Sequence, residues 1–247
     1  TADLQTTFGE NRVFDTPLSE SGIIGTAIGM AMYGLHPVAE IQFADYIYPG
    51  LDQLISEAAR LRYRSAGEYV APMTVRSPFG GGIFGGQTHS QSPEAIFTHV
   101  SGLKTVIPAT PYDAKGALLA AIADDNPVMF VEHRLLHFSR GLVPESQYTS
   151  DPGLAKIPRD GNDITIVGIS YMQHEAMQAA GILERTGVDA EVIDPVWLAP
   201  LDIRTIAESA KRTRRLLVID NGWMTCGASA EIITAVMEHV DVPVQYA

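Results

Sequence analysis

Lys104-Thr-Val-Ile107, Asp113-Ala-Lys-Gly-Ala-Leu-Leu-Ala-Ala-Ile-Ala123 and Val128-Met-Phe-Val-Glu132 are the consecutive segments on which the fold turns. The outer two are short apolar runs rich in β-branched residues, which reads as buried strand. The middle one has helical length and is rich in Ala and Leu. A strand, a helix and a second apolar strand make a βαβ unit, whose two strands lie parallel.

Outward from this unit the alternation continues. Upstream, an apolar helix is expected over about Ile23–Tyr33, ended by His36-Pro37, and then a strand over Val38–Phe43. Pro49 stands near the start of a helix expected to reach Arg64, with Leu51, Leu54, Ile55, Ala58 and Leu61 on one face. Met73–Arg76 reads as a strand, Gly80–Gly86 as a glycine-rich loop, and Ser92-Pro93-Glu94 as the cap and start of a short helix. Downstream, the pattern lapses between about Leu135 and Asp160. It resumes with strands at 163–169, 189–194 and 216–220, helices at 173–185, 203–211 and 228–239, and a last strand at 242–245. The expected architecture is α/β, in two domains with mostly parallel sheets flanked by helices. The boundaries are 1–140, a linker at 141–160, and 161–247.

The 247 residues carry 17 Lys and Arg against 29 Asp and Glu, a net charge of −12. So acidic a chain is unsuited to nucleic acid or to an anionic membrane, both of which need a basic surface. The apolar fraction of 46% supports a packed core and excludes a disordered chain. A single cysteine, Cys226, leaves no disulfide framework and no Cys-rich zinc site, and Thr1–Glu10 lacks the pattern of a secretory signal. A reducing, cytoplasmic location is the expectation. Ser21–Ala39 is uncharged, but its glycines and His36-Pro37 leave a helical part too short to span a bilayer, so it reads as a buried soluble helix.

Several motifs dissolve on inspection. Gly80-Gly-Gly-Ile-Phe-Gly85 fits G-x-G-x-x-G, yet no amphipathic helix follows and no acid closes a second strand, so it reads as a loop rather than a dinucleotide site. His133 and His137 have a metal spacing only on a helix, whereas they follow a strand, and a surface or interface role is expected. Lys211–Arg215 complements a helix C-terminus, and Arg60, Arg62 and Arg64 read as a solvated face or as ion-pair partners. Glu20 resists a bland reading. It precedes an uncharged helix with Gly25 and Gly29 four residues apart, and a carboxylate there is costly to bury without a partner.

At this point the residues resemble a family. Arg12-Val-Phe-Asp-Thr-Pro-Leu-Ser-Glu20-Ser-Gly-Ile-Ile-Gly25 is similar to the cofactor loop of the β subunits of 2-oxo acid dehydrogenase E1 components. Ala39–Tyr46, Glu57–Ser65, Thr74–Gly80 and His89–Glu94 agree in the same order. The resemblance implies a transketolase-like pyrimidine-binding domain followed by a transketolase C-terminal-like domain, with thiamine diphosphate as cofactor. It implies oxidative decarboxylation of a small 2-oxo acid with acyl transfer to a lipoyl group. Glu20 would face N1′ of the aminopyrimidine, Leu18, Gln42 and Tyr46 would line the cofactor, and His89 would serve acyl transfer. A structural potassium ion would sit among Ala71, Met73, Thr74, Ala121, Asp124 and Asn126, chiefly on backbone carbonyls. The Gly-Asp-Gly block that binds diphosphate and Mg²⁺ in thiamine enzymes occurs nowhere in this chain. An α subunit would therefore complete the site in an α₂β₂ assembly, and a lipoyl-bearing acyltransferase would accept the acyl group. Two other readings remain open at this point: a two-subunit transketolase-like carboligase, motivated by Asp220-Asn-Gly-Trp-Met-Thr-Cys226 in place of a His-Glu-Ala type block, and a non-catalytic scaffold.

Overall fold

A computed structural model describes residues 3–247. After a short helix α1 (Leu4–Phe8), helix α2 (Glu20–Met32) begins at Ser19 and buries Ile24, Ala27, Ile28 and Ala31. Its end is chemically specified. Gly34 takes φ +86°, Gly34 N donates to Ala31 O and Leu35 N to Met30 O, which closes the last turn in a Schellman arrangement before Pro37. Strand β1 (Val38–Glu40) follows.

The helix expected from Pro49 to Arg64 is broken into unlike turns. A 3-10 turn at Tyr48–Gly50 leads into a π-helical stretch at Gln53–Ala58, where Ala59 N donates to Leu54 O, and then α3 (Leu61–Arg64). Strand β2 (Thr74–Phe79) runs three residues beyond Arg76, through Pro78. Helix α4 (Glu94–Thr98) has Pro93 rather than Ser92 at its cap position, with no side-chain cap. The deciding segments are β3 (Lys104–Val106), α5 (Pro111–Ala123) and β4 (Val128–His133). Thr110 Oγ1 accepts from Asp113 N at 3.1 Å and caps α5, while Pro111 fills a first-turn position that needs no donor.

Residues 141–160, expected as a linker, contain strand β5 (Lys156–Arg159). Next come β6 (Ile164–Gly168), α6 (Tyr171–Glu184), β7 (Ala190–Asp194), β8 (Trp197–Ala199), α7 (Ile203–Thr213), β9 (Arg215–Ile219), α8 (Ala228–His239) and β10 (Gln245–Tyr246). The sheet orders are β1-β2-β4-β3-β8 and β10-β9-β6-β7-β5. In each, four strands are parallel and one edge strand is antiparallel: β8 on β3 in the first sheet, β5 on β7 in the second. Strand β8 thus leaves the second half of the chain to complete the first sheet. Its Trp197 is fully buried with Val106, Ala117 and Phe130. One core cluster runs through both halves, from Ile24 and Met129 to Ile193 and Ile232. Among the described residues no helix is long and apolar enough to cross a membrane.

Candidate functional site

Ligands of parallel sheets sit beyond the carboxyl ends of the strands, and the first sheet has a cavity of ≈ 310 Å³ there, past the end of β1. It is lined by Leu18, Glu20, Gln42, Asp45, Tyr46 and Pro49. Four residues expected to serve the cofactor, Leu18, Glu20, Gln42 and Tyr46, therefore meet around one space although 28 positions separate the first from the last. Glu20 opens α2, where an acid is favourable beside the free N–H groups. It is half-buried rather than enclosed, and Leu18 is 81% exposed, so the basin is open on one side. One aromatic ring, an apolar rim and two carboxylates, Glu20 and Asp45, suit a flat heterocycle with a protonable nitrogen. The lining holds no Lys or Arg to receive a diphosphate.

His89 stands at the edge of this basin. Its Nε2 is 2.7 Å from the Tyr46 hydroxyl, and its Nδ1 is 3.0 Å from Thr88 Oγ1. Phe43 meets the imidazole edge-on at 4.6 Å between centroids, and the Arg134 guanidinium lies 4.9 Å from the centre of the Phe43 ring. The Gly80–Gly86 loop leads into a 3-10 turn at Gln87–His89 and not into a helix, in keeping with the rejection of a dinucleotide site. Asp45, Phe43, Thr88 and Arg134 escaped the sequence reading. Each is an ordinary residue type in a loop or turn, and only the fold brings them together.

His133 corrects an expectation. It is buried, not at the surface, stacked on Tyr171 at 5.1 Å and edge-on to Phe79. Gly80, at φ +89°, lies against the ring so closely that a Cβ there would come within 2.2 Å of Nε2. Burial, with help from His137, pushes the His133 pKa down to about 4, so the ring is neutral near pH 7. His137 is exposed.

The residues proposed for potassium lie at the opposite, amino end of the first sheet. Thr74 begins β2, and Ala71 and Asn126 line a second cavity of ≈ 270 Å³. The Asp124 carboxylate is engaged by Lys104 and accepts from Asn126 N (2.9 Å) and Nδ2 (2.8 Å). Burial alone would raise its pKa, but these bonds hold it below the usual range. The basic runs find local partners. Arg64 pairs with Glu57 at 2.8 Å, and at the end of α7 Lys211 pairs with Asp241 and Arg212 with Glu191.

Residues 1–138 match the transketolase pyrimidine-binding domain, and residues 153–246 the transketolase C-terminal domain. With the two parallel sheets, these matches define a transketolase-type chain. Curated relatives narrow the class. The chain is 52% identical to the 2-oxoisovalerate dehydrogenase subunit beta of Pseudomonas aeruginosa, over 97% of this chain and 72% of that one. It is 46% identical to the subunit of the same name from Bacillus subtilis, over 99% and 76%. It is 45% identical to the pyruvate dehydrogenase E1 component subunit beta of Bacillus subtilis, over 96% and 73%. The chain belongs to the family of 2-oxo acid dehydrogenase E1 β subunits. Among solved structures, a split-gene transketolase described as an inactive beta4 tetramer superposes with TM-score 0.83, 22% identity and coverage of 100% of this chain and 77% of that one, a likeness of fold.

Proposed function

We propose that this chain is the β half of a thiamine-diphosphate-dependent oxidative decarboxylase. With an α subunit it acts on a small 2-oxo acid and delivers the acyl group to a lipoyl-bearing acyltransferase. The observation that carries this reading is the meeting of Leu18, Glu20, Gln42 and Tyr46 around one open cavity, with His89 hydrogen-bonded at its edge. The β-subunit relatives are dehydrogenases by name, which leaves the carboligase reading with likeness of fold alone.

Bound thiamine diphosphate would supply a carbon nucleophile and an electron sink for the decarboxylation. This chain's part is to bind, orient and move protons. Tyr46, Leu18 and Pro49 would wall the aminopyrimidine, and Glu20 would hold a proton at its N1′. His89 holds the proton that the opening lipoyl disulfide needs at sulfur, a task suited to imidazole near neutral pH. The lining has no cationic residue and the chain no Gly-Asp-Gly block, so the α subunit would hold the diphosphate and ligate Mg²⁺. Ala71, Met73, Thr74, Ala121, Asp124 and Asn126 would hold K⁺. With its carboxylate engaged, Asp124 would offer only its carbonyl. On α2, Gly29 has nothing within 4 Å of its Cβ position, and Gly25 only Gln53 at 3.9 Å, which leaves that face free for close approach in an α₂β₂ assembly.

Calorimetric titration with thiamine diphosphate and Mg²⁺ tests the half-site. Binding is expected with the α subunit present and not with the chain alone. Tight binding by the chain alone contradicts the shared site, and absence of binding under both conditions favours a scaffold.

A further inference from the structure

The segment that carries His89 ends on a carboxyl group with no part in the proposed chemistry. Glu94, the first residue of α4, is 0% exposed, and neither Oε1 nor Oε2 has a hydrogen-bond partner beyond the influence of its own N–H. An unpaired carboxylate so placed is costly enough that the group takes up a proton instead. Facing it across the molecule is Asp220, just past the carboxyl end of β9. Asp220 Oδ1 accepts from Gly222 N at 3.0 Å, and Oδ2 is buried without a partner. Burial raises the Asp220 pKa too, but the N–H groups of Gly222, Asn221 and Ser229 offset part of that rise, an offset that Glu94 gets only from its own N–H. Gly222 fits between the two. A Cβ on it would stand 2.3 Å from Glu94 Oε1 and 2.9 Å from Asp220 Oδ2. The two free oxygens therefore converge on one point, and only glycine leaves room for them.

The surroundings divide the roles. Ser229 lies in the first turn of α8, so Asp220 faces free amides and the positive end of a helix, which suits an anion. Glu94 has no such donors, which suits the neutral acid. Tyr48 also lies near Glu94, its phenol pushed up by burial, by Asp45 and by Glu94. No Lys, Arg or His forms an ion pair with Glu94 or Asp220 among the described residues.

We propose that Glu94 and Asp220 share one proton between the two halves of the chain, and that this carboxyl pair is a positioning device for the His89 segment. In the closed state the Glu94 carboxyl donates its proton toward Asp220 Oδ2, and the pair carries one negative charge. Loss of that proton to solvent leaves two like charges facing each other across Gly222, and the junction opens. The route to His89 is short. Gln91 is held on the other side by Asp45, through its N–H at 3.3 Å, and by Tyr48, whose hydroxyl donates at 2.9 Å. His89 thus stands on a segment pinned at Gln91 to the first sheet's half and at Glu94 to the second. The pair does not depend on the proposed function, but the consequence for acyl transfer rests on the reading of His89.

Burial and Asp220 push the Glu94 pKa up to about 8 from an ordinary 4.5. A raised acid contributes its full stability below the unfolded value and loses it as pH rises through the folded value. Glu94→Gln mimics the protonated form and cannot ionise. In the chain assembled with its α subunit, the parent's thermal midpoint is expected to fall relative to Glu94→Gln by about 5 °C between pH 4.5 and 8, and to level off above. The acyl-transfer rate of the parent is expected to decline with pH near 8 by about fivefold more than that of the variant. Decarboxylation with an artificial electron acceptor is expected to keep the same pH profile in both. Parallel melting curves across this range overturn the shared proton. So does a parent midpoint that rises with added calcium while the variant's does not, since a cation would then join the carboxylates. A divergence in melting with coincident acyl-transfer profiles overturns the positioning role. Should His89→Ala transfer acyl groups normally, the reading of His89 fails while the melting comparison still judges the proton.

Discussion

Four parallel strands and one antiparallel edge strand make each sheet, yet the carboxyl end of the first opens on the Glu20 cavity and that of the second is closed by its neighbour. After β6, Ser170 Oγ donates to Pro108 O at 3.3 Å and His174 Nε2 lies 2.8 Å from Ala109 O. After β7, the chain pairs with β3 as β8, and Ile107 N donates to Val196 O at 2.8 Å. After β9, Gly222 packs between Asp220 and Glu94. The same architecture thus serves two purposes, and what covers the carboxyl edge decides which. Changes at the closed edge should cost stability, whereas changes at the open edge should cost chemistry and leave the fold intact.

The largest effect is expected at the closed edge. Trp197→Ala removes the fully buried anchor of β8 and should destabilise the chain by about 3–5 kcal/mol in denaturant titration. A loss under ~1 kcal/mol would mean that β8 does not bind the halves together. At the open edge, His89→Ala should reduce acyl transfer to a lipoyl acceptor by about 100-fold, with decarboxylation to an artificial acceptor largely retained. Equal losses in both assays would move His89 from transfer to cofactor binding. Between the edges lies His133. Its folded pKa of about 4 is below the ordinary 6.5, so its stability contribution is present above 6.5 and is lost as pH falls toward 4. Urea titrations should show the parent losing about 2 kcal/mol over that interval that His133→Gln keeps. Smallest is Thr110→Ala at the cap of α5, expected to cost about 1 kcal/mol with no effect on activity.

What was legible in the sequence was periodic or punctuated. Helix α5 announced itself by its alanine-rich run, and α2 by its apolar stretch and the His36-Pro37 break, whereas the Thr110 cap and the Gly34 stop came only with the structure. Strands β5 and β8 were not legible, because four- and three-residue edge strands have no room for a period and are held by partners distant in sequence. The π-helical turn at Gln53–Ala58 hid behind an ordinary amphipathic pattern. Glu20 stood out as an acid before an uncharged helix, but its openness to solvent did not, since exposure depends on Leu18 and the loop before it. Glu94 looked like a helix-start acid, and only the packing of Gly222 against it reveals a partner on the other half.

The central claim is that the open edge of the first sheet is the catalytic half-site. Decarboxylation by the assembled complex carrying Glu20→Ala tests it most directly. The account expects activity to fall by about 100-fold or more, with the thermal midpoint within about 3 °C of the parent. Activity within a few fold of the parent, in a complex that still binds thiamine diphosphate, would contradict it.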